Sequence, residues 1–284
     1  MTKIDVSCLI QNFYDTNINN NTNNRFRSWE HCHNVFVSVH KKGFHNLSED
    51  DKNILTLHLS FCLASFGMYR GSSFLLNMDY LANRRVVDLI FEPMYEPLWE
   101  FDPSYGNIQL AKHLIFDKTI GIYNRIKKEC YSDVESSIIH EEKSTLKKEV
   151  LKKPIPTDIL ITKILMITFC CMPGFDTFVK KVTTSTSEKS FVRLCESVNK
   201  HREQFVCQSK TIYYPPMRCL DILLWCFGFV LCLTDKNNLS SKEKLSEIVR
   251  LNILPPSFIK PSFNSTSNDI SRLIKYFNFK ESKK

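Results

Sequence analysis

The chain has 284 residues, with 38 Lys and Arg against 30 Asp and Glu, a formal charge of +8, and 43% hydrophobic residues. That length and apolar content can bury a sizeable core, which excludes a wholly disordered chain. Its seven glycines form no G-x-G-x-x-G, Walker or G-x-S-x-G motif, so the glycine-dependent nucleotide-binding and hydrolase chemistries are excluded as well.

In chain order, Met1 to Leu9 carries Lys3 and Asp5 and lacks the apolar centre of a signal peptide. Asn17 to Asn24 is rich in asparagine and reads as a flexible loop. Phe26, Trp29, Phe36 and Val37 mark a first helix. Ser48, with Asp51 three residues on, is an acidic variant of a capping box and opens a second helix over about 52–68. A third is expected over 79–91, until Pro93 and Pro97 end it. A fourth covers about 109–128, with Leu110, Leu114, Ile115, Ile122 and Ile126 on its buried side.

Residues 127–153 are the most polar stretch and read as an exposed helix or a connector. They divide the chain into an N-terminal helical lobe over 1–126 and a C-terminal helical lobe over 154–284. Thr157 is an N-cap candidate for an apolar helix over 158–171, and Pro173-Gly174 turns the chain into a short helix over 176–182. Another helix runs to about Phe205. Pro215 and Pro216 precede a strongly apolar helix over 217–233, and two shorter helices near 242–251 and 269–277 finish the chain. The uncharged, strongly apolar run Ile222 to Thr234 is short of the roughly 20 apolar residues that span a bilayer. No strand alternation and no repeat is visible, so the fold class is all-α.

Eleven cysteines occur, with no C-x-x-C, and Cys62, Cys170, Cys171, Cys219, Cys226 and Cys232 sit in apolar stretches. That placement suits reduced thiols in a cytoplasm. Charge is unevenly spread: residues 1–150 carry 17 basic and 19 acidic side chains, and residues 151–284 carry 21 and 11. The basic half suits a polyanion bound through its phosphates, and Lys180, Lys181 and Arg218 are the candidate contacts.

One segment carries chemistry. Thr162-Lys163-Ile164-Leu165-Met166 is followed by Met172-Pro173-Gly174-Phe175-Asp176-Thr177-Phe178-Val179-Lys180-Lys181-Val182. An apolar helix, a tight turn and then an Asp at a helix start make Asp176 either an N-cap or a catalytic carboxylate. The pattern P-x-x-D-T-x-V followed by basic residues resembles the catalytic segment of helix-hairpin-helix DNA glycosylases. The resemblance covers about residues 153–182 and implies a two-lobed all-α fold. It further implies that Asp176 stabilises the sugar cation as a flipped-out modified or damaged base departs, leaving an abasic site. The corresponding hairpin, Lys153-Pro154-Ile155-Pro156-Thr157, has no glycine, and prolines donate no amide hydrogens to a phosphate. Family members that also cut the strand carry a nucleophilic lysine a full helix before the Asp. Lys163 is either that amine displaced or a structural lysine, and a monofunctional enzyme is expected.

Gly67-Met68-Tyr69-Arg70-Gly71-Ser72-Ser73 places Arg70, Ser72 and Ser73 at a helix end, where they suit a phosphate or a base edge, or serve as caps. With Ser28-Trp29-Glu30-His31 and Tyr214-Pro215-Pro216-Met217-Arg218, this stretch is similar to a bacterial family, a likeness that implies no activity. His31-Cys32-His33 is set aside as a metal site, because adjacent residues face different sides of a helix. Arg27 and His33 loosely resemble the R-x(4–6)-H pattern of HEPN-type ribonucleases, the alternative enzyme. A non-catalytic helical DNA-binding or regulatory protein is the third reading. Trp29 and Trp225 are expected as core anchors. The first reading expects duplex DNA, including modified phage DNA in an antiviral role, as partner. It expects no cofactor, no metal and no membrane association, and a monomeric protein.

Overall fold

Caps written in the sequence mark where five of the described helices begin. The computed structural model describes residues 5–21, 23–71, 73–99, 101–103, 108–132, 156–183, 188–210 and 212–280. Its helices are α1 (Ser7–Tyr14), α2 (Arg27–Lys42), α3 (Glu49–Ser65), α4 (Arg84–Ile90), α5 (Glu96–Trp99) and α6 (Ile108–Arg125). After the connector come α7 (Asp158–Thr168), α8 (Thr177–Val182), α9 (Glu188–Lys200), α10 (Pro216–Thr234), α11 (Ser241–Arg250) and α12 (Phe263–Tyr276). Among the described residues there is no strand, and the fold is all-α.

Ser48 accepts from the Asp51 amide at 3.1 Å and opens α3. Thr157 does the same for α7 through the Leu160 amide at 3.2 Å, and Ser240 and Glu243 cap α11 reciprocally. Each cap satisfies amides that a helix start leaves without an intrahelical partner.

Two regions depart from the sequence expectation. The chain opens with α1, whose Leu9, Ile10, Phe13 and Tyr14 are buried, and continues as a π-turn over Asp15–Asn19. Asn17 is therefore not in a loop but buried beneath the chain. The expected third helix is divided: Asp79 caps a 3-10 turn, Tyr80–Asn83, through the Leu81 amide at 2.9 Å, and α4 follows. Most of the polar connector, residues 133–155, and the side chains of Leu110 and Leu114 lie outside the described residues.

Helix α7, from the second half of the chain, packs against both α2 and α3 from the first. Trp29 of α2 is fully buried there, and its indole N–H donates to the Met166 carbonyl at 3.2 Å. Helix α10 packs against α8, α1, α9 and α12. The buried apolar side chains form a single cluster that runs from Val6 to Phe279. At Gly228 of α10 a Cβ would stand 1.9 Å from the Phe178 carbonyl oxygen. Only glycine lets α8 lie directly on α10 at that point.

Helix α10 is also the one described helix long and apolar enough to cross a membrane. It contains Arg218 and Asp221 and is 72% buried within the protein, as a core helix is. All eleven cysteines are unpaired thiols, and most are buried. Burial pushes the Cys171 thiol up to about 12, far from a reactive thiolate.

Candidate functional site

The turn between α7 and α8 is held by side chains from its two neighbours. Thr162 Oγ1 of α7 accepts from the Phe175 amide at 3.0 Å, and Asp221 Oδ1 of α10 accepts from the Gly174 amide at 2.9 Å. Gly174 leaves little room beside it, since a Cβ there would come within 3.2 Å of Lys163 Cγ. The turn therefore delivers Asp176 to a fixed point above α7.

Asp176 is the N-cap of α8. Its Oδ1 accepts from the Phe178 and Val179 amides at 3.0 and 3.1 Å, and Oδ2 lies 3.4 Å from the Lys163 ammonium. The two readings of Asp176, cap and site carboxylate, are thus compatible, because each oxygen has its own work. Lys163 is only 6% exposed, and its ammonium sits 4.8 Å over the Phe66 ring, a favourable cation–π placement.

Beneath this pair lies a second one. Arg218 and Asp221, one helical turn apart on α10, form a buried ion pair through Arg218 Nη1. The guanidinium also lies 4.7 Å over the Trp29 ring. Burial raises the Asp221 carboxyl above its ordinary value, opposed by the charges of Arg218 and Lys163 and by the Gly174 amide. Removing a partner from such a pair leaves a charge stranded in the interior.

Both pairs line one cleft of about 260 Å³, near the lower end of the roughly 300–1,000 Å³ typical of small-molecule sites. Its walls are aromatic: Phe13, Phe26 and Phe66 from the first half of the chain, Phe178 and Trp225 from the second. Trp225 meets Phe26 edge-on at 5.6 Å and Phe178 at 5.4 Å. Arg25 and Arg70, both exposed, also line it. Gly67, at φ +78°, allows Arg70 to fold back over it, since a Cβ there would lie 2.5 Å from Arg70 Nε.

The cleft brings together four of the residues singled out by sequence: Lys163, Asp176, Arg218 and Arg70. Others fall elsewhere. Ser73 caps a 3-10 turn through the Leu75 amide and is absent from the lining; Ser72 lies outside the described residues. Lys180 is exposed, and Lys181 pairs with Asp235 at 2.6 Å. Arg218, expected among surface phosphate contacts, is instead 2% exposed on the floor of the cleft. Trp29 is a core anchor, whereas Trp225 is half-buried in the cleft wall.

The three family-like stretches also meet around this floor. Tyr214 donates to Glu30 at 3.0 Å, and its ring lies 5.0 Å from Trp29, which in turn carries Arg218. Next to Trp29 the His33 ring is stacked at 4.8 Å, with Nδ1 3.1 Å from the Ile167 carbonyl oxygen. Burial, with Arg218 adding to it, lowers the His33 pKa to about 4. Arg27 and His33 line different hollows of the surface. Among the described residues no group of three or more His, Cys, Asp or Glu is placed to hold a metal ion.

Asp221 and the aromatic wall were not anticipated. The spacing Arg218-x-x-Asp221 inside an otherwise apolar helix is the signal that marks Asp221, since charges in such a helix face inward only when paired; nothing comparable marks the wall. No protein-family model, curated protein or solved structure matches the chain.

Proposed function

We propose that the protein is a DNA glycosylase that hydrolyses the N-glycosidic bond of a flipped-out modified or damaged base and leaves an abasic site. The observation that carries this reading is the Asp176–Lys163 pair, 3.4 Å apart, in an aromatic-walled cleft that draws on both halves of the chain. The resemblance of residues 153–182 to helix-hairpin-helix glycosylases and the basic second half support it.

In this mechanism the base stacks between the aromatic walls. As its bond to C1′ breaks, the electron pair leaves on the base nitrogen, which finally receives, through Asp176, the proton released by the attacking water. Positive charge grows on the sugar, and the Asp176 carboxylate, fixed by two amides, stabilises it in the transition state. Water then bonds to C1′ and gives its proton to Asp176. Lys163, engaged with Asp176 Oδ2, positions the carboxylate, so the enzyme is monofunctional. The substrate is duplex DNA carrying a damaged purine or a phage-type base such as glucosylated hydroxymethylcytosine. The protein acts as a cytoplasmic monomer without cofactor, in an antiviral role where the base is phage-derived.

The test is incubation with damaged and phage-modified duplexes, followed by alkali. Strand breaks that appear only after alkali are the expected result. Cleavage of RNA instead supports a HEPN-type ribonuclease, and neither product leaves a helical binding protein. Borohydride should trap no covalent complex; a trapped adduct lost in Lys163→Ala makes that amine a Schiff-base nucleophile.

A further inference from the structure

The donors on the floor of the cleft outnumber the acceptors that meet them. Both hydrogen bonds of the Arg218 guanidinium leave from Nη1, to Asp221 and to the Met166 sulfur. Its Nε, on a side chain only 2% exposed, has no partner among the described residues. Nε and Nη2 form the side-on edge of a guanidinium, two parallel donors in a fixed plane. An unmet buried donor is unfavourable, and a ligand with matching acceptors relieves it.

Charge points the same way. Arg25, Arg70, Lys163 and Arg218 line the cleft against Asp176 and Asp221, an excess of two positive charges. A phosphate monoester carries about −1.5 to −2 at pH 7, as do the two diesters that flank one nucleotide in a strand. Arg25 and Arg70 are the exposed members, on turns at the ends of α2 and α3, so they are the pair that can reach a phosphate. The rings between them and the floor supply a stacking surface.

We propose that the cleft binds a single nucleotide, with Arg25 and Arg70 on its phosphate. The side-on edge of Arg218 meets two adjacent acceptors of the base, a carbonyl oxygen beside a ring nitrogen. Cytosine (O2 and N3) and guanine (O6 and N7) offer that pair. Adenine sets an amino donor beside each ring acceptor on its exocyclic edges and so leaves one Arg218 donor unmet. This rests on the reading of the cleft as a base pocket, and it assigns the substrate to the cytosine or guanine class.

The test reads binding and not excision, so the two proposals fail separately. Deoxycytidine 5′-monophosphate, deoxyadenosine 5′-monophosphate, deoxycytidine and a trinucleotide with a central deoxycytidine are each titrated calorimetrically into the full chain. The cytidine monophosphate should bind about tenfold or more tighter than its adenine counterpart, the effect of one buried donor left unmet. It should also bind about tenfold tighter than the unphosphorylated nucleoside. A trinucleotide that binds tighter still assigns the two negative charges to flanking diesters, and one that binds no tighter than the free monophosphate assigns them to the monoester; either supports the site. In Arg25→Ala/Arg70→Ala, two exposed positions that leave the fold intact, the advantage of the phosphate should vanish while the preference for cytosine over adenine remains. Equal affinity for the cytosine and adenine nucleotides, or for nucleotide and nucleoside, overturns the proposal even if excision is observed. Absence of excision with these affinities intact overturns the glycosylase reading alone.

Discussion

On the floor of the cleft each charge has a fixed partner, Asp176 with Lys163 and Asp221 with Arg218. At the mouth Arg25 and Arg70 lie exposed on turns. The floor comes from the second half of the chain and is locked by side chains: Asp176 holds an amide of α8, while Asp221 of α10 and Thr162 of α7 hold amides of the turn before it. The mouth comes from the first half and is held by little more than stacking, as where Arg25 lies 5.4 Å over Phe26. Buried charges that are pre-organised change a reaction barrier, because they do not reorient as charge develops. Exposed arginines are screened and adjustable, which suits capture of a charged chain. Substitutions on the floor should therefore move stability and chemistry, and those at the mouth only binding.

The largest stability effect belongs to Arg218. Replacing it with Ala strands Asp221 in the interior, and chemical denaturation should show a loss of about 3–5 kcal/mol. Arg25→Ala at the mouth should stay within about 0.5 kcal/mol of the native protein. Equal losses would erase the distinction between floor and mouth.

Acid should act on the same buried region. His33 has a folded pKa of about 4 against about 6.5 unfolded, so the unfolded state binds the proton first as pH falls. Stability is full above about pH 6.5 and declines toward pH 4, by on the order of 3 kcal/mol across the window. The raised Asp221 carboxyl acts in the opposite sense, favouring the folded state when protonated. Melting temperatures between pH 7 and 4.5 should fall in the native protein and much less in His33→Gln; a flat native profile contradicts a neutral, buried His33.

Gly228→Ala tests how α8 is seated. A methyl group would collide with the Phe178 carbonyl, costing about 1–3 kcal/mol and displacing the helix that carries Asp176. Excision should fall with stability in this variant, although Gly228 does not line the cleft. The smallest effect concerns salt. Lys180 is exposed while Lys181 is paired with Asp235, so Lys180→Ala should lower the salt dependence of DNA binding by about 0.9 in slope and Lys181→Ala by less.

What was legible in the sequence follows the same division. Ser48, Thr157 and Asp176 were readable because a cap is local chemistry: a hydroxyl or carboxylate just before an apolar period. The all-α class followed from that period. Helix α1 was hidden because eight residues before an asparagine-rich run carry too few turns to display a period, and its burial depends on distant partners such as α10. Sequence alone puts Arg218 at the surface, because an isolated arginine normally belongs there. Only the three-residue spacing to Asp221 marks it as paired. The cleft walls were not legible at all, since Phe13, Phe26, Phe66, Phe178 and Trp225 come from five separate segments that only the packing of α7 and α10 against the first half brings together.

In the proposed reaction Asp176 acts on the reacting sugar and is more than a cap. Asp176→Asn preserves size and an oxygen that can accept from the Phe178 and Val179 amides, so stability should fall by less than about 1 kcal/mol. Single-turnover excision of a cleavable modified base, measured with this variant at saturating enzyme, is the direct measurement. The expected rate is about 100-fold lower or more, with DNA affinity unchanged or higher because a negative charge has been removed. A folded Asp176→Asn protein that excises at the native rate contradicts it and returns Asp176 to the role of a helix cap.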